Sequence, residues 1–246
     1  MQLDEKWSFV SKKEKNTDPA DPADARKGEQ WDFVAIDPDS RLVLSVVVGK
    51  RLRDNAEALL RDVKGRLAGV PSLVTTDEWS SYPEAIKEVF GLQVTPQRTG
   101  RQGRPRKPYK QVPAGLCYAT VSKRREKGRV VEVITAVLMG TLAAVLALLG
   151  GKKINTSYVE RHNATDRHRN ARKGRKTYRF SKDLRMHESL TYLSIYSYNF
   201  CWPVRTLRKK IGLRRYQHRT PAMTAGLTDH VWSLHEWFAF PACQRS

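Results

Sequence analysis

QLDEKWSFV, residues 2–10, is the stretch that decides the fold, because its alternation predicts the first strand of a sheet. The alternation separates two sets of side chains: Asp4, Lys6 and Ser8 on one face, and Leu3, Trp7 and Phe9 on the other. An acid therefore lies near the start of this strand, on the face opposite the apolar residues. The rest of the sequence has to supply its partners.

Two more strands follow and pair with the first one. WDFVAID (31–37) and RLVLSVVVGK (41–50) flank the turn residues PDSR, which predicts a three-stranded antiparallel meander. The intervening DPADPAD stretch (18–24) is rich in turn residues and is expected to be a loop.

A helical crossover comes next. Asp54 or Asn55 can cap a helix that runs to about Leu67, and PSLVTTD (71–77) is the short apolar run of a buried strand that ends on an aspartate. A further helix is expected at 83–90. The order β-β-β-α-β-α implies a mixed sheet in which strands one and four lie side by side, so the fold class is α/β.

The composition changes at residues 98–110, RTGRQGRPRKPYK, which have six cations and no acid. This stretch is expected to be an exposed basic arm. The sequence GRP at 103–105 resembles the core of an AT-hook, which enters the minor groove of DNA. A solvated basic loop that only touches phosphates is the alternative. Three cations of the arm are candidates for DNA binding: Arg104, Arg106 and Lys107.

A hairpin and an apolar run follow the arm. LCYATV (116–121) and RVVEVITAV (129–137) flank a KRREKG turn and predict the hairpin. Residues 133–151 contain no charge, which just reaches the length of a membrane span. Their β-branched start, and the glycines and threonines that interrupt them, favour a buried strand followed by a core helix at 142–149. Membrane association is the alternative.

The stretch YVERHNATDRHRNARKGRKTYRFSK, residues 158–182, holds nine Lys or Arg residues and two acids. If it starts as a helix, Glu160, Asn163 and Arg167 share one face. A carboxylate among so many cations is either a salt-bridge partner or a functional group that the basic surface surrounds.

The C-terminal part predicts a helix and a basic tail, 184–246. Residues 184–201 carry an apolar stripe at helical spacing, which predicts a core face: Leu190, Leu193, Tyr196 and Phe200. Another run of cations lies at 205–219, and aromatic residues after Thr220 can dock the tail.

The charge of the chain points to a polyanionic partner. Among 246 residues, 45 Lys and Arg against 25 Asp and Glu leave a formal net charge of +20. Nucleic acid is the first candidate and an anionic membrane surface the second. Three widely spaced cysteines indicate neither a disulfide framework nor a zinc site and fit a reducing compartment. The charged start MQLDEKW is unlike a signal peptide, so a cytoplasmic location is expected.

Three acids lie where a metal site could form. Phosphodiester chemistry can use two Mg²⁺ ions roughly 3.5–4 Å apart, held by two or three carboxylates from different elements. Asp4 starts the first strand, Asp77 ends the fourth, and Glu160 opens a helix. Glu5 and Glu78 are adjacent competitors. Salt-bridged acids in a basic protein are the alternative for each residue.

Four stretches of the sequence fit one family pattern: LDEKWSFV (3–10), VTTDEWSSY (74–82), INTSYVERHNATDRHR with ARKGRKTYRFSK (154–182), and YNFCWPVRTLR (198–208). Together they resemble the DDE transposases of bacterial insertion sequences, of the IS-one type. The third stretch is the most specific, because the family pairs E-R-x-N with a downstream R-K-T-x-x-F-S-K. The resemblance covers nearly the whole chain, including RTPAMTAGLTDHVW (219–232).

The resemblance implies an RNase H-like fold, with a mixed five-stranded sheet flanked by helices and a helical basic C-terminal region. Residues 1–183 would form the DDE catalytic domain. Asp4, Asp77 and Glu160 would be the catalytic, metal-binding triad for two Mg²⁺ (or Mn²⁺) ions. The implied activity is DNA strand cleavage followed by strand transfer during transposition.

The resemblance also implies which residues meet DNA. Asn163 and Arg167 match positions that flank the family's glutamate, and they are expected to contact DNA or to orient the carboxylate. The remaining cations of this stretch are expected to contact the DNA backbone: Arg172, Lys173, Arg175, Lys176 and Lys182. At 163–167 the chain has NATDR where the family usually has N-L-T-L-R, which adds an acid to the helix. At 202–207 it has WPVRTL instead of R-P-H-x-S/T-L.

The expected partners follow from the family. Its members commonly carry an N-terminal zinc-ribbon and helix-turn-helix module, so a companion product is expected to recognise the element's ends. A homo-oligomer is expected on DNA, since transposition pairs two ends, and no membrane partner is expected. The bacterial nucleoid is the expected location. The alternative function is a catalytically inactive, transposase-derived protein that only binds nucleic acid.

Overall fold

The structure, a computed structural model, describes residues 1–96 and 107–240. Its strands are β1 (Gln2–Val10), β2 (Gly28–Ile36), β3 (Val43–Gly49), β4 (Leu73–Thr76), β5 (Leu92–Val94), β6 (Tyr109–Gln111), β7 (Cys117–Glu126), β8 (Arg129–Met139), β9 (Lys209–Gly212) and β10 (Arg215–Gln217). Its α-helices are α1 (Arg53–Arg66), α2 (Tyr82–Phe90), α3 (Leu142–Leu149), α4 (Ser157–Arg169), α5 (Leu184–Cys201), α6 (Pro221–Thr224) and α7 (Leu234–Ala239).

One mixed sheet of six strands, in the order β3-β2-β1-β4-β7-β8, forms the centre of the α/β fold. The predicted meander is confirmed, because β2 pairs antiparallel with both β1 and β3. The predicted neighbourhood of strands one and four is confirmed too, through a parallel pair of Gln2 and Thr75. The expectation of five strands was wrong, because the hairpin contributes both β7 and β8 to the sheet.

Helices cover both faces of the sheet. On one face, α1 and α2 bury an apolar core whose members include Leu3, Phe33, Leu59 and Ile86. On the other face, α4 and α5 bury a smaller apolar cluster. The predicted side-chain cap of α1 was wrong: the helix begins after Leu52 without one, because the Asn55 side chain donates to the carbonyl of Lys50 instead.

The apolar run 133–151 is largely exposed, which contradicts the prediction of a buried strand and a core helix. Val133 and Ile134 are about half exposed, and Val145 is the one buried residue of α3. The physical reason is position: β8 is the outer strand of the sheet, and Val145, the buried residue of α3, packs on Cys117, Ala119 and Val121 of β7, so α3 covers β7 and leaves much of β8 uncovered. Among the described residues, no helix is both long and apolar enough to cross a membrane.

The predicted basic arm at 98–110 falls partly outside the described residues, and Arg104 and Arg106 lie in that part. Lys107 is exposed. The end of the stretch was predicted as arm but is a strand, since β6 pairs antiparallel with β5. Lys110 Nζ on β6 donates to Glu88 Oε1 on α2 at 2.6 Å, which joins this strand to the helix.

The buried face of α5 differs from the predicted apolar stripe. Its inward residues include His187, Thr191 and Ile195, whereas the predicted stripe lies only half-buried beside them. His187 turns inward because its ring meets Ser8 on β1 and Lys173, and the Thr191 hydroxyl donates to the carbonyl of His187 in the same helix. Docking of the tail is confirmed by Trp232, whose ring centroid lies 4.8 Å from that of Phe200 on α5.

Gly140 makes the junction between β8 and α3 possible, and we predict that Gly140→Ala is more destabilising than Gly128→Ala. Both glycines have positive φ, +84° and +79°, so both changes should cost about 1–2 kcal/mol in the backbone. A Cβ at Gly140 would lie 2.6 Å from Cys117 Sγ, whereas nothing lies within 4 Å at Gly128. Urea unfolding should show an extra loss of about 1–3 kcal/mol for Gly140→Ala. Equal losses would contradict the packing argument.

Candidate metal centre and nucleic-acid interface

The register of the central strands brings two of the predicted acids together. Gln2 on β1 pairs with Thr75 on β4, so Asp4 and Asp77 lie two residues further along each parallel strand. Carboxylate oxygens of Asp4, Glu5 and Asp77 all lie within 4.8 Å of one another. The third acid of this cluster is therefore Glu5, which the sequence offered as a competitor, and not Glu160.

An arginine that the sequence analysis missed holds one side of the acid cluster. Arg51 Nη2 donates to Glu5 Oε2 at 2.8 Å and lies 3.9 Å from Asp77 Oδ2. Its guanidinium carbon lies 4.8 Å from the ring centroid of Trp31 and 5.0 Å from that of Trp79. The aromatic rings fix the direction of the guanidinium. No spacing in the sequence signals this contact.

The acid cluster carries more negative charge than its surroundings balance. Burial raises the pKa of Asp4 to about 6; the Asn163 hydrogen bond opposes this, and the charge of Asp77 adds to it. Burial and the charge of Asp77 raise the pKa of Glu5 to about 7, despite Tyr82 and Arg51. A divalent cation would relieve this repulsion.

The donor set fits Mg²⁺ or Mn²⁺. Carboxylate oxygens are the hard ligands that Mg²⁺ takes, and three of them converge from two strands. Asn163 Oδ1 is a buried acceptor without a hydrogen-bond partner among residues 1–96 and 107–240. Such an acceptor can bind a water coordinated to a metal.

Glu160 lies beside this cluster and is held by a lysine. Its two carboxylate oxygens each lie 2.5 Å from Lys123 Nζ on β7, and the Thr156 hydroxyl also donates to it. The charge of Glu160 makes a small contribution to the raised pKa of Asp4, so the two carboxylates lie close enough to repel each other. Glu160 is thus near the site but outside the three-carboxylate cluster. Lys123 was not among the residues that the sequence singled out.

The helix face predicted for Glu160, Asn163 and Arg167 is on α4, and its members have different partners. Asn163 is buried and its Nδ2 donates to Asp4 Oδ2 at 2.8 Å, which orients that carboxylate. Arg167 is half-buried, and its Nη1 donates to the carbonyl of Lys173 at 2.8 Å. Arg167 therefore holds the following segment in place.

The structure places Lys173 in the interior, away from the surface to which the sequence assigned it. Lys173 Nζ lies 2.7 Å from Asp32 and 2.7 Å from His187 Nε2, and its side chain is fully buried. Lys6 completes the cluster by pairing with Asp32 and with Asp166. Burial raises the pKa of Asp32, but the charges of Lys173 and Lys6 lower it, and the resulting pKa is about 2.

This buried ionic cluster also accounts for the acid that departs from the family pattern. Asp166 turns inward from α4 to Lys6 on β1 and accepts a hydrogen bond from Ser194 on α5. It joins three elements in the interior and does not place negative charge on an outer surface of the helix.

The remaining DNA-binding cations predicted after α4 are accessible. Arg175, Lys176 and Lys182 are exposed, and Arg172 is half-buried. A groove of roughly 720 Å³ lies between this segment and α5, and its walls include Arg169, Arg172, Arg179 and Lys182. These cations form a positive surface next to the helix that carries Glu160.

The chain was compared with known proteins. No protein-family model matches it, and no curated protein is similar to it.

The raised pKa of Asp4 predicts a pH-dependent gain of stability for Asp4→Asn. Because the folded-state pKa of about 6 exceeds the ordinary 3.8, the folded protein loses stability as pH rises from about 4 to 6. Asparagine removes this loss and can still accept the Asn163 hydrogen bond. We expect the variant to be about 2–3 kcal/mol more stable than wild type at pH 8 and to show a much smaller gain at pH 4.5. A gain that is equal at both values, measured by urea unfolding, would rule this out.

The buried ionic cluster predicts strong coupling between Lys6 and Asp166. Lys6→Met alone leaves Asp166 buried without its cation and should cost about 3–5 kcal/mol. Adding Asp166→Leu should recover much of this loss, because both charges are then gone. Denaturant unfolding of the two single variants and the double variant measures the coupling. Lys152→Ala, which breaks an exposed pair with Asp39, is the control and should cost less than about 1 kcal/mol. Additive losses for Lys6 and Asp166 would contradict the assignment.

Proposed function

We propose that this chain is a metal-dependent enzyme that cleaves and joins DNA strands, a transposase with an RNase H-like catalytic core. The observation that carries the proposal is the convergence of Asp4, Glu5 and Asp77 at the end of the short central strand. The sheet order supports it, because an antiparallel meander is joined to a parallel fourth strand by a helix. The net charge of +20 and the cations after α4 support DNA as the substrate.

The roles of the residues follow from their contacts. Asp4 and Asp77, with Glu5 or Glu160, would hold Mg²⁺ or Mn²⁺. When bound, such ions activate a water or hydroxyl nucleophile and stabilise the leaving oxygen. Asn163 orients the Asp4 carboxylate, and Arg51 holds Glu5.

The surface cations would position the DNA backbone over the acids. Arg175 and Lys176 are exposed and would meet phosphates, and Lys182 is exposed with its Nζ over the ring of Phe180. Assembly as a homo-oligomer on DNA and a companion zinc-ribbon/helix-turn-helix product belong to the same proposal and rest on the family resemblance. Specific recognition of the element's ends would then come from that companion.

A second candidate function is DNA binding without catalysis. One observation favours it: Glu160 is held by Lys123 and lies outside the three-carboxylate cluster. A chain that has lost the use of its third ligand would keep the basic surface and bind DNA in a salt-sensitive way.

We predict that Asp77→Asn lowers Mn²⁺-dependent nicking of supercoiled plasmid by at least about 100-fold, because it removes a metal ligand. DNA binding, measured by gel shift, should be unchanged. Glu78→Gln is the matched control, since Glu78 is adjacent and exposed, and it should leave nicking intact.

The third ligand can be identified in the same assay. Glu5→Gln and Glu160→Gln are compared, and the variant that loses more nicking activity identifies the carboxylate that completes the metal site. Undiminished nicking by Asp77→Asn would exclude the proposed enzyme, and an absence of metal-dependent product from the wild-type chain would favour the second candidate.

A further inference from the structure

β4 is shorter than both of its neighbours, so the strand pairing leaves a gap between β1 and β7 beyond the end of β4. β4 ends at Thr76, which pairs with Thr120, whereas β7 continues to Glu126. On the other side β1 continues to Val10. Strands separated by one missing strand lie roughly 10 Å apart, which is twice the strand spacing of about 4.8 Å. Beyond Asp77, β1 and β7 are therefore the two walls of this gap, and the segment after α4 enters it at the far end of β1, where Val10 bridges Ser181.

The acid cluster lies where this gap begins, and both walls reach it. Asp77 follows the end of β4, and Asp4 and Glu5 belong to the β1 wall. The β7 wall contributes Lys123, which holds Glu160. A substrate that reaches the acids therefore passes next to the hairpin formed by β7 and β8.

The tip of this hairpin, residues 123–129, is basic and projects from the protein. Its sequence KRREKGR has five cations and one acid. Residues 124–135 are all exposed. Arg124 is neutralised by Glu126 and Glu132, but three cations have no acidic partner among the described residues: Arg125, Lys127 and Arg129.

We propose that the hairpin tip binds the DNA backbone and forms the second wall of the DNA channel, opposite the basic segment after α4. This rests on the proposed function. Unpaired cations beside the entrance to an acidic site bind phosphates and offset the repulsion between DNA and the carboxylates. Val130, Val131 and Ile134 are also exposed on the hairpin and would suit a protein partner. The position of the cations beside the acid cluster favours DNA.

The test is the salt dependence of DNA binding by the triple variant Arg125→Gln, Lys127→Asn and Arg129→Gln. Asparagine is chosen because residue 127 has φ of +46° and precedes Gly128, and Asn-Gly suits such a turn. Binding of a labelled duplex is measured by anisotropy without divalent metal over a series of salt concentrations. The slope of log K against log salt should fall by about 0.9 for each lost contact, or about 2.7 for three.

The matched control removes three exposed cations from α1, which packs on the face of the sheet opposite α4: Arg61→Gln, Lys64→Gln and Arg66→Gln. Its slope should change by less than about 0.9, the value of one contact. If the triple hairpin variant fails to fold, Arg125→Gln alone should lower the slope by about 0.9.

Two outcomes would overturn the inference. One is an equal change of slope in the hairpin and control variants. The other is an unchanged slope with a lower oligomeric mass by light scattering, which would make the hairpin an interface between copies. The proposed function fails separately: it fails if wild type produces no metal-dependent nicking, whatever the slopes. Nicking that depends on Asp77, with an unchanged hairpin slope, would remove the hairpin inference alone.

Discussion

The parallel pairing of β1 with β4 is the constraint on which the rest of the structure depends. It places Asp4 beside Asp77 and brings Glu5 within reach, at the cost of repulsion between three partly buried acids. Burial raises the pKa values of two of them, so this part of the fold is less stable at neutral pH than an apolar strand end would be. Arg51 and Asn163 offset part of this repulsion. Clusters of acids that repel one another are typical of functional sites, because replacing one of the acids would make the fold more stable.

A second group of charges holds the helices that frame this site. Lys6, Asp32, Asp166 and Lys173 form a buried cluster of two cations and two anions between the sheet, α4 and the segment that follows it. Hydrogen bonds from Ser194 and to His187 satisfy further polar groups of the cluster. Because each charge has a partner of opposite sign, the interior tolerates them, and the direction of α4 toward Asp4 is fixed.

Alternation along β1 and the crossover before β4 were sufficient to predict the sheet centre and the meeting of Asp4 with Asp77. The sequence could not distinguish Glu5 from Glu160 as the third acid, because side-chain reach depends on how α4 and Lys123 pack. Lys173 was assigned to the surface because a run of cations looks the same whether one member is buried or not. The apolar run 133–151 was assigned to the core because of its composition, which does not reveal whether another element of the fold covers it. The buried face of α5 was predicted wrongly because His187 on this face is buried by hydrogen bonds to polar groups, which an apolar pattern does not reveal.

The pairing of Lys6 with Asp166 has a consequence for how such a chain can change over time. The family that this sequence resembles usually has leucine where Asp166 stands, and a leucine here would leave Lys6 with Asp32 alone. An uncharged residue at position 6 would in turn leave Asp166 without its cation. Neither position can therefore drift alone at low cost. A change from aspartate to leucine at 166 is therefore best accommodated when the residue at position 6 loses its charge as well.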